Sequence, residues 1–278
     1  MTMEELSPAL SIYLGGLVLA GLICLFLEFA KRPAKGGPEE VPTLEPWKIK
    51  GLDLFLIPVF VFLLINGVTA LTIEAYKLIF KTSEIAEDHM FFLSFPMHIT
   101  VLASLYGFYK YFSLEEDVPL NTVRYRPLTL LGKSGFYFLG IIPILYAVSF
   151  VWPFVLEFFK LPTNPQDLVD QVANMSWSPM FVLIAFLAVV VAPLSEELFF
   201  RAFLYRSLKT YMSPILAAIL SSLLFTAMHG NWHSSLSLFL LGLWLCRSYE
   251  KSGNLWVPII LHALFNGNTL IILMLMGP

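Results

Sequence analysis

The sequence predicts an all-α fold, a polytopic membrane bundle of about eight transmembrane helices, and three observations predict it. Of the 278 residues, 58% are apolar and only 13% charged, against roughly 25% charged in an ordinary soluble domain. A chain this size has no interior large enough for that much apolar surface, so the surplus must face lipid. Eight apolar runs approach the about 20 residues that a span requires. Finally, Lys and Arg alternate from one connecting segment to the next, as they do when helices cross a bilayer back and forth.

The eight runs lie near Leu10–Phe29, Leu54–Ile73, Phe91–Phe112, Phe136–Phe159, Pro179–Leu204, Pro214–His229, Ser235–Tyr249 and Leu255–Met276, the sixth and seventh being short. Segment 30–53 holds Lys31, Arg32, Lys35, Lys48 and Lys50, and segments 110–135, 201–212 and 247–254 hold four, three and two basic residues. The intervening segments hold only Lys77, Lys81 and Lys160, so 14 of the 17 basic residues fall on one side. A miscounted helix would scramble this pattern. The expectation is an integral protein of the cell (plasma) membrane with both termini non-cytoplasmic.

The other segments carry little chemistry. A net charge of −3 gives no reason to expect a nucleic-acid partner. Cys24 and Cys246 sit inside apolar runs, without the spacing of a disulfide framework or metal site. The opening Met-Thr-Met-Glu-Glu lacks the positive region of a signal peptide, so the first apolar run reads as a retained helix. Residues 33–46, with Pro33, Gly36, Gly37, Pro38, Pro42 and Pro46, read as an extended cytoplasmic linker. Asp167–Met175 places Leu168, Val169, Val172 and Met175 on one helical face, which suits a helix lying on the outer membrane surface.

Polar residues inside apolar runs carry the functional signal. A carboxylate in hydrocarbon costs at least about 2.5–3.5 kcal/mol on insertion scales, so each one calls for a cause. Glu28, Asp53, Glu74 and Glu157 lie at span ends within reach of water, and His98 reads as a hydrogen-bonded packing residue. Glu196 and Glu197 end the apolar stretch Met180–Leu194, and Arg201 shares a face with Glu197 at i, i+4 in the favourable acid-before-base order. Glu196 points about 100° away. Arg201 can therefore neutralise Glu197 and leave Glu196 unpaired to hold a water. Pro193, just before the pair, loosens the helix there and admits that water.

Phe225 and His229 share a face at the end of the sixth run, and His262 and Asn266 share one inside the eighth. Polar groups on single faces of three apolar helices point to a common interior. A glutamate there can take a proton from water, and an imidazole can orient the water or carry the proton onward. The Asn266 amide, with His262, can donate hydrogen bonds to a developing oxyanion. The competing reading is interhelical hydrogen-bond glue, typically worth about 0.6 kcal/mol per contact.

These residues, Glu196-Glu197-x-x-x-Arg201, Phe225-x-x-x-His229 and His262-x-x-x-Asn266, resemble the CPBP (CAAX protease and bacteriocin-processing, or Abi) family of intramembrane glutamic endopeptidases. The family includes type II CAAX prenyl endopeptidases. The connecting text is similar as well: Phe239-Leu-Leu-Gly242 and Tyr249-Glu-Lys-Ser-Gly253-Asn-Leu-Trp256-x-Pro258. The resemblance assigns 177–272 to a protease core and leaves 1–160, the first four spans, without a family pattern. It implies a hydrolase in which Glu196 activates water with help from His229. It also implies that His262 and Asn266 stabilise the oxyanion, and that Glu197, Arg201 and Phe225 support the site. No cofactor or metal is implied, and the implied partner is a peptide or membrane-protein substrate within the bilayer, cut near a C-terminus (CAAX-type) or at a bacteriocin-type leader.

Other chemistries fit less well. The sequence has no His-Glu-x-x-His or Gly-x-Gly-Asp motif, and Ser195 lacks glycine flanks. Zinc on Glu196, His229 and His262 is chemically admissible. A non-catalytic immunity or binding protein that keeps the motifs for structure is the main alternative. A proton-relay transporter is disfavoured because no broken helices recur in the two halves. Depth along the helices is unresolved by spacing: from the presumed cytoplasmic ends, Glu196 lies about 20 Å in, His229 about 24 Å and His262 only about 10 Å.

Overall fold

The structure, a computed structural model, describes residues 8–30, 44–83, 94–111, 119–164 and 178–276. Within them run eight helical rods: α1 (Pro8–Ala30), α2 (Gly51–Phe80), α3 (Ser94–Tyr111), α4 (Pro127–Phe158), α5 (Pro179–Leu208), α6 (Pro214–His229), α7 (Trp232–Ser252) and α8 (Trp256–Met276). No strand occurs among the described residues, apart from one isolated bridge between Asn121 and Asn254. Five rods, α1, α2, α4, α5 and α8, are long and apolar enough to cross a membrane; α6 is apolar but shorter. The surface-helix expectation for Asp167–Met175 and most of the 33–46 linker lie outside the described residues.

Local sequence explains where the C-terminal rods start and stop. Ser178 and Ser213 cap α5 and α6 by accepting from Phe181 N (3.2 Å) and Leu216 N (3.4 Å), each with proline at the first helical position. Asn231 caps α7 by accepting from Ser234 N at 2.9 Å. Helix α7 ends at Gly253, whose φ of +61° is left-handed and strains any residue with a Cβ. The Gly253 carbonyl accepts from the backbone N–H groups of Thr122 (2.8 Å) and Val123 (3.1 Å). Asn254 then donates to Val123 O (2.7 Å) and accepts from Trp256 N (2.9 Å), which starts α8. The similarity through Tyr249–Pro258 thus has a physical basis, because these residues build a tight turn clasped by the segment before α4.

The basic segments gather at one end of the bundle. Arg206 donates to Glu45 O and Pro119 O, both at 2.9 Å, and Lys209 pairs with Glu250 at 2.7 Å while reaching Leu44 O. Segments 44–50, 119–126, 206–212 and 247–255 therefore form a single cap, as the charge alternation requires. Trp152 donates to Trp232 O, and Asn231 to Asn164 O, at the opposite end. Exposed Phe26, Phe55, Phe150 and Ile215 lie on the outer faces of the rods, where lipid would cover them.

Helix α1 lies on α4, which also meets α7 and α8; α2 packs on α3, and α3 on the middle of α5. One buried cluster joins Phe138, Ile142, Leu241, Leu245, Val257 and Leu261 of α4, α7 and α8. Another joins Val61, Phe200, Phe203, Phe225 and Tyr249 around α5. Helices α6 and α7 approach closely at Gly242, where an added Cβ would lie 2.9 Å from both Cβ and Oγ of Ser222. Gly242→Ala is expected to cost about 1–3 kcal/mol by overpacking, measurable as a lower unfolding midpoint in detergent; an unchanged midpoint would show that α6 and α7 can separate freely.

Candidate functional site

Helix α5 is not a regular α-helix. Its turns widen to i→i+5 bonding at Leu187–Val191 and again at Leu198–Tyr205, on either side of Glu196 and Glu197. In the first stretch the Ala192 N–H bonds Leu187 O. The next amide along should be that of residue 193, but Pro193 has none. The Ala188 carbonyl is left over, and the Asn266 side chain of α8 donates to it at 2.8 Å. Wide turns of this kind are frequent at functional sites. In the second stretch the Phe200 carbonyl is taken by the Ser221 hydroxyl of α6, again at 2.8 Å. At Ala188 a side chain of a neighbouring helix thus replaces a bond that α5 cannot make for itself, and at Phe200 another adds one.

The expected ion pair is present: Arg201 Nη1 lies 3.0 Å from Glu197 Oε1, with both side chains fully buried. Arg201 also reaches Gly242 O at 3.4 Å and lies over the Phe225 ring, 4.5 Å from its centroid. The Phe225 ring also meets Phe200 (5.2 Å), His229 (4.7 Å) and His262 (5.8 Å) edge-on. This one buried aromatic therefore separates the guanidinium from the two imidazoles and holds all three.

Glu196 turns away from Arg201, as the spacing predicts, and its side chain keeps 20% exposure. Its Oε2 lies 3.8 Å from His262 Nε2, too far for a direct hydrogen bond and close enough for one water to touch both. The same ring donates from Nδ1 to Glu197 Oε1 at 2.9 Å. One imidazole therefore meets both glutamates, an arrangement that the helical wheel of α5 does not reveal. The carboxylate on Nδ1 fixes the orientation of the ring, with Nε2 turned toward Glu196. His229 Nδ1 lies 2.8 Å from Phe225 O. A carbonyl can only accept, so Nδ1 donates and Nε2 is the acceptor nitrogen of the neutral ring.

Glu196, His229, His262 and Asn266 all line one cavity of about 540 Å³ between α3, α5, α6, α7 and α8. Glu196 and His229 also border a second cavity of about 400 Å³, walled by apolar residues of α2, α3, α5 and α6. Supporting residues Glu197, Arg201 and Phe225 stand behind the first cavity. Asn266 differs from expectation in one respect, since its amide nitrogen is already engaged with Ala188 O; it has one further N–H to offer. Among the described residues, no three His, Cys, Asp or Glu side chains cluster so as to hold a metal ion, the candidate zinc set Glu196, His229 and His262 included.

The two C-terminal histidines and Glu196 reach one level despite their different spacings. The turn before α8 is held by Asn121–Val123, with Thr122 N and Val123 N on Gly253 O and Leu255 N on Asn121 Oδ1. Sequence reasoning missed one neighbour. His98 of α3, 5% exposed, contacts the buried Ser195 hydroxyl at 2.7 Å and lines both cavities with Glu196. It is hydrogen-bonded, as expected, but no motif could link residues 97 apart. Only the packing of α3 on α5 does so.

The Pro193 argument has a direct consequence. Pro193→Ala restores the missing N–H and lets α5 compete with Asn266 for the Ala188 carbonyl. Amide exchange across 188–197 is expected to slow about fivefold, the equivalent of about 1 kcal/mol for one recovered hydrogen bond. Unchanged exchange there would show that Pro193 does not cause the wide turn.

Residues 178–268 match the family described as type II CAAX prenyl endopeptidase Rce1-like. A 115-residue stretch is 24% identical to "Putative membrane peptidase YdiL" of Bacillus subtilis (strain 168), covering 41% of this chain and 44% of that protein. A 122-residue stretch is 32% identical to "Uncharacterized 24.3 kDa protein" of Escherichia coli, covering 42% and 55%. The chain thus spans about half the length of the curated relatives it matches. No solved structure matches.

Proposed function

With residues 178–268 forming a type II CAAX prenyl endopeptidase Rce1-like domain, we propose that the chain is an intramembrane endopeptidase in which Glu196 activates a water. The observation that carries this reading is the approach of Glu196 Oε2 to His262 Nε2, 3.8 Å apart on the wall of a cavity shared with His229 and Asn266.

In this reading Glu196 takes a proton from the water as its oxygen attacks the scissile carbonyl carbon. Negative charge then develops on the carbonyl oxygen. His262, held through Nδ1 by Glu197, and the remaining Asn266 N–H donate to it. Collapse of the tetrahedral intermediate breaks the C–N bond, and the proton held by Glu196 passes to the leaving amine. His229, with Nδ1 spent on Phe225 O, offers Nε2 as acceptor to orient the water. Arg201 pairs with Glu197 and so leaves Glu196 to face the cavity.

The substrate would be a peptide or membrane-associated protein cut near its C-terminus. The description of the matched family points to CAAX-type tails, with leader-type processing as the other form. The basic cap would face the cytoplasm of the cell membrane, with both termini opposite, since Lys and Arg concentrate on that side of membrane proteins. Mass spectrometry of membrane-protein termini from cells carrying the wild-type chain or Glu196→Gln tests the reading. New termini present only with wild type are expected. Identical termini in both would instead fit a binding or immunity protein.

A further inference from the structure

We infer that His98, on a helix outside the family match, is a positioning residue for Glu196: it anchors on the Ser195 hydroxyl and stiffens the turn of α5 that carries the carboxylate. The inference rests on the reading of Glu196 as the base.

The turn Ala192–Glu197 is weak by construction. A wide turn precedes it, another follows it, and Pro193 removes one of its amide donors. A general base held on such a turn would wander, and a 1 Å displacement of a reacting group can cost about 10² in rate. Two side chains from other helices brace it. Asn266 of α8 takes the Ala188 carbonyl on one side. His98 of α3 takes Ser195, the residue next to Glu196, on the other.

The direction of that second bond follows from proton counting. The Ser195 hydroxyl has one proton, and it is donated back to the Ala192 carbonyl at 3.0 Å. Ser195 Oγ must then accept at 2.7 Å from His98 Nδ1–H. Ser195 is wholly buried and His98 nearly so, so water does not compete for this bond. Helix α3 contacts α5 at this turn, and His98 lines both cavities that Glu196 borders. The N-terminal half thereby supplies one wall of the site and one of its two braces.

The test uses three replacements in the full-length protein in detergent, assayed on an internally quenched peptide that spans the most abundant Glu196-dependent terminus. His98→Ala is expected to lower kcat by about 10² with KM nearly unchanged. Asn places an amide N–H near the position of Nδ1, so His98→Asn is expected to recover most of kcat. Gln places its amide near Nε2 instead, so His98→Gln is not. Ser195→Ala should lower kcat similarly, and the double variant should lose little more than either single one, because both remove the same brace. A drop in thermal midpoint with kcat per folded molecule unchanged would overturn the inference, leaving His98 a packing residue. Rescue by Gln but not Asn would overturn it too, by assigning the effect to Nε2. If no Glu196-dependent terminus exists, the endopeptidase reading fails first and this inference goes with it.

Discussion

Purified Glu196→Gln protein is expected to cleave about 10²–10⁴ times more slowly than wild type, the range that a positioned general base contributes, while its unfolding midpoint stays within experimental error. The rate falls because an amide cannot take the proton that water must lose. Stability should hold because the Glu196 side chain faces a cavity and remains partly exposed, and Gln preserves its volume and its oxygen toward His262. Glu196→Asp is a useful intermediate. It keeps the base but withdraws it by one methylene from His262, so activity should lie between the two. Full proteolysis by Glu196→Gln would remove the basis of the mechanism, and an equal loss of stability would reassign Glu196 to packing.

Arg201→Ala should act through the fold. The Glu197–Arg201 pair is fully buried at 3.0 Å, and Glu197 Oε2 and Arg201 Nε have no hydrogen-bond partner among the described residues. Such a pair contributes little net stability compared with apolar residues, yet removing one member strands the other charge in a low-dielectric interior and costs about 3–5 kcal/mol. Arg201→Ala also empties the space above the Phe225 ring that the guanidinium fills. The measurable result is a large loss of folded protein in an SDS titration. Combining Arg201→Met with Glu197→Gln should restore much of that loss, because no bare charge remains, while His262 keeps an oxygen to donate to. If Arg201→Ala were as stable as wild type, water must reach Glu197, and the dry setting argued for the pair would be wrong.

These two variants separate roles that adjacent residues disguise. Glu196 and Glu197 are neighbours in sequence with the same chemistry, and His262 contacts or faces both. One carboxylate looks into a cavity and the other into Arg201. The expected split, rate from the first and stability from the second, follows from a rotation of about 100° between consecutive residues on a helix.

That rotation is the kind of relation a sequence carries openly, because i, i+4 pairs such as Glu197–Arg201 and Phe225–His229 depend on helix geometry alone. The eight rods were legible for the same reason: apolar length and the placement of 14 of 17 basic residues are local properties, and the cap where those basic segments meet follows from them. Distances between helices were not. Spacing alone left Glu196, His229 and His262 at different depths, and only the packing of α5, α6 and α8 around one cavity brings them together.

By itself, then, the sequence determined the all-helical membrane bundle, the one-sided gathering of basic residues and which polar side chains share a helix face, since each is settled within a few turns of chain. Tertiary structure alone decided that His262 bridges toward both glutamates, that Asn266 repairs the carbonyl orphaned by Pro193, and that His98 reaches Ser195. Each of these joins residues tens of positions apart, and their contact depends on helix register and depth, which are set by the packing of whole rods and not by any periodicity within one.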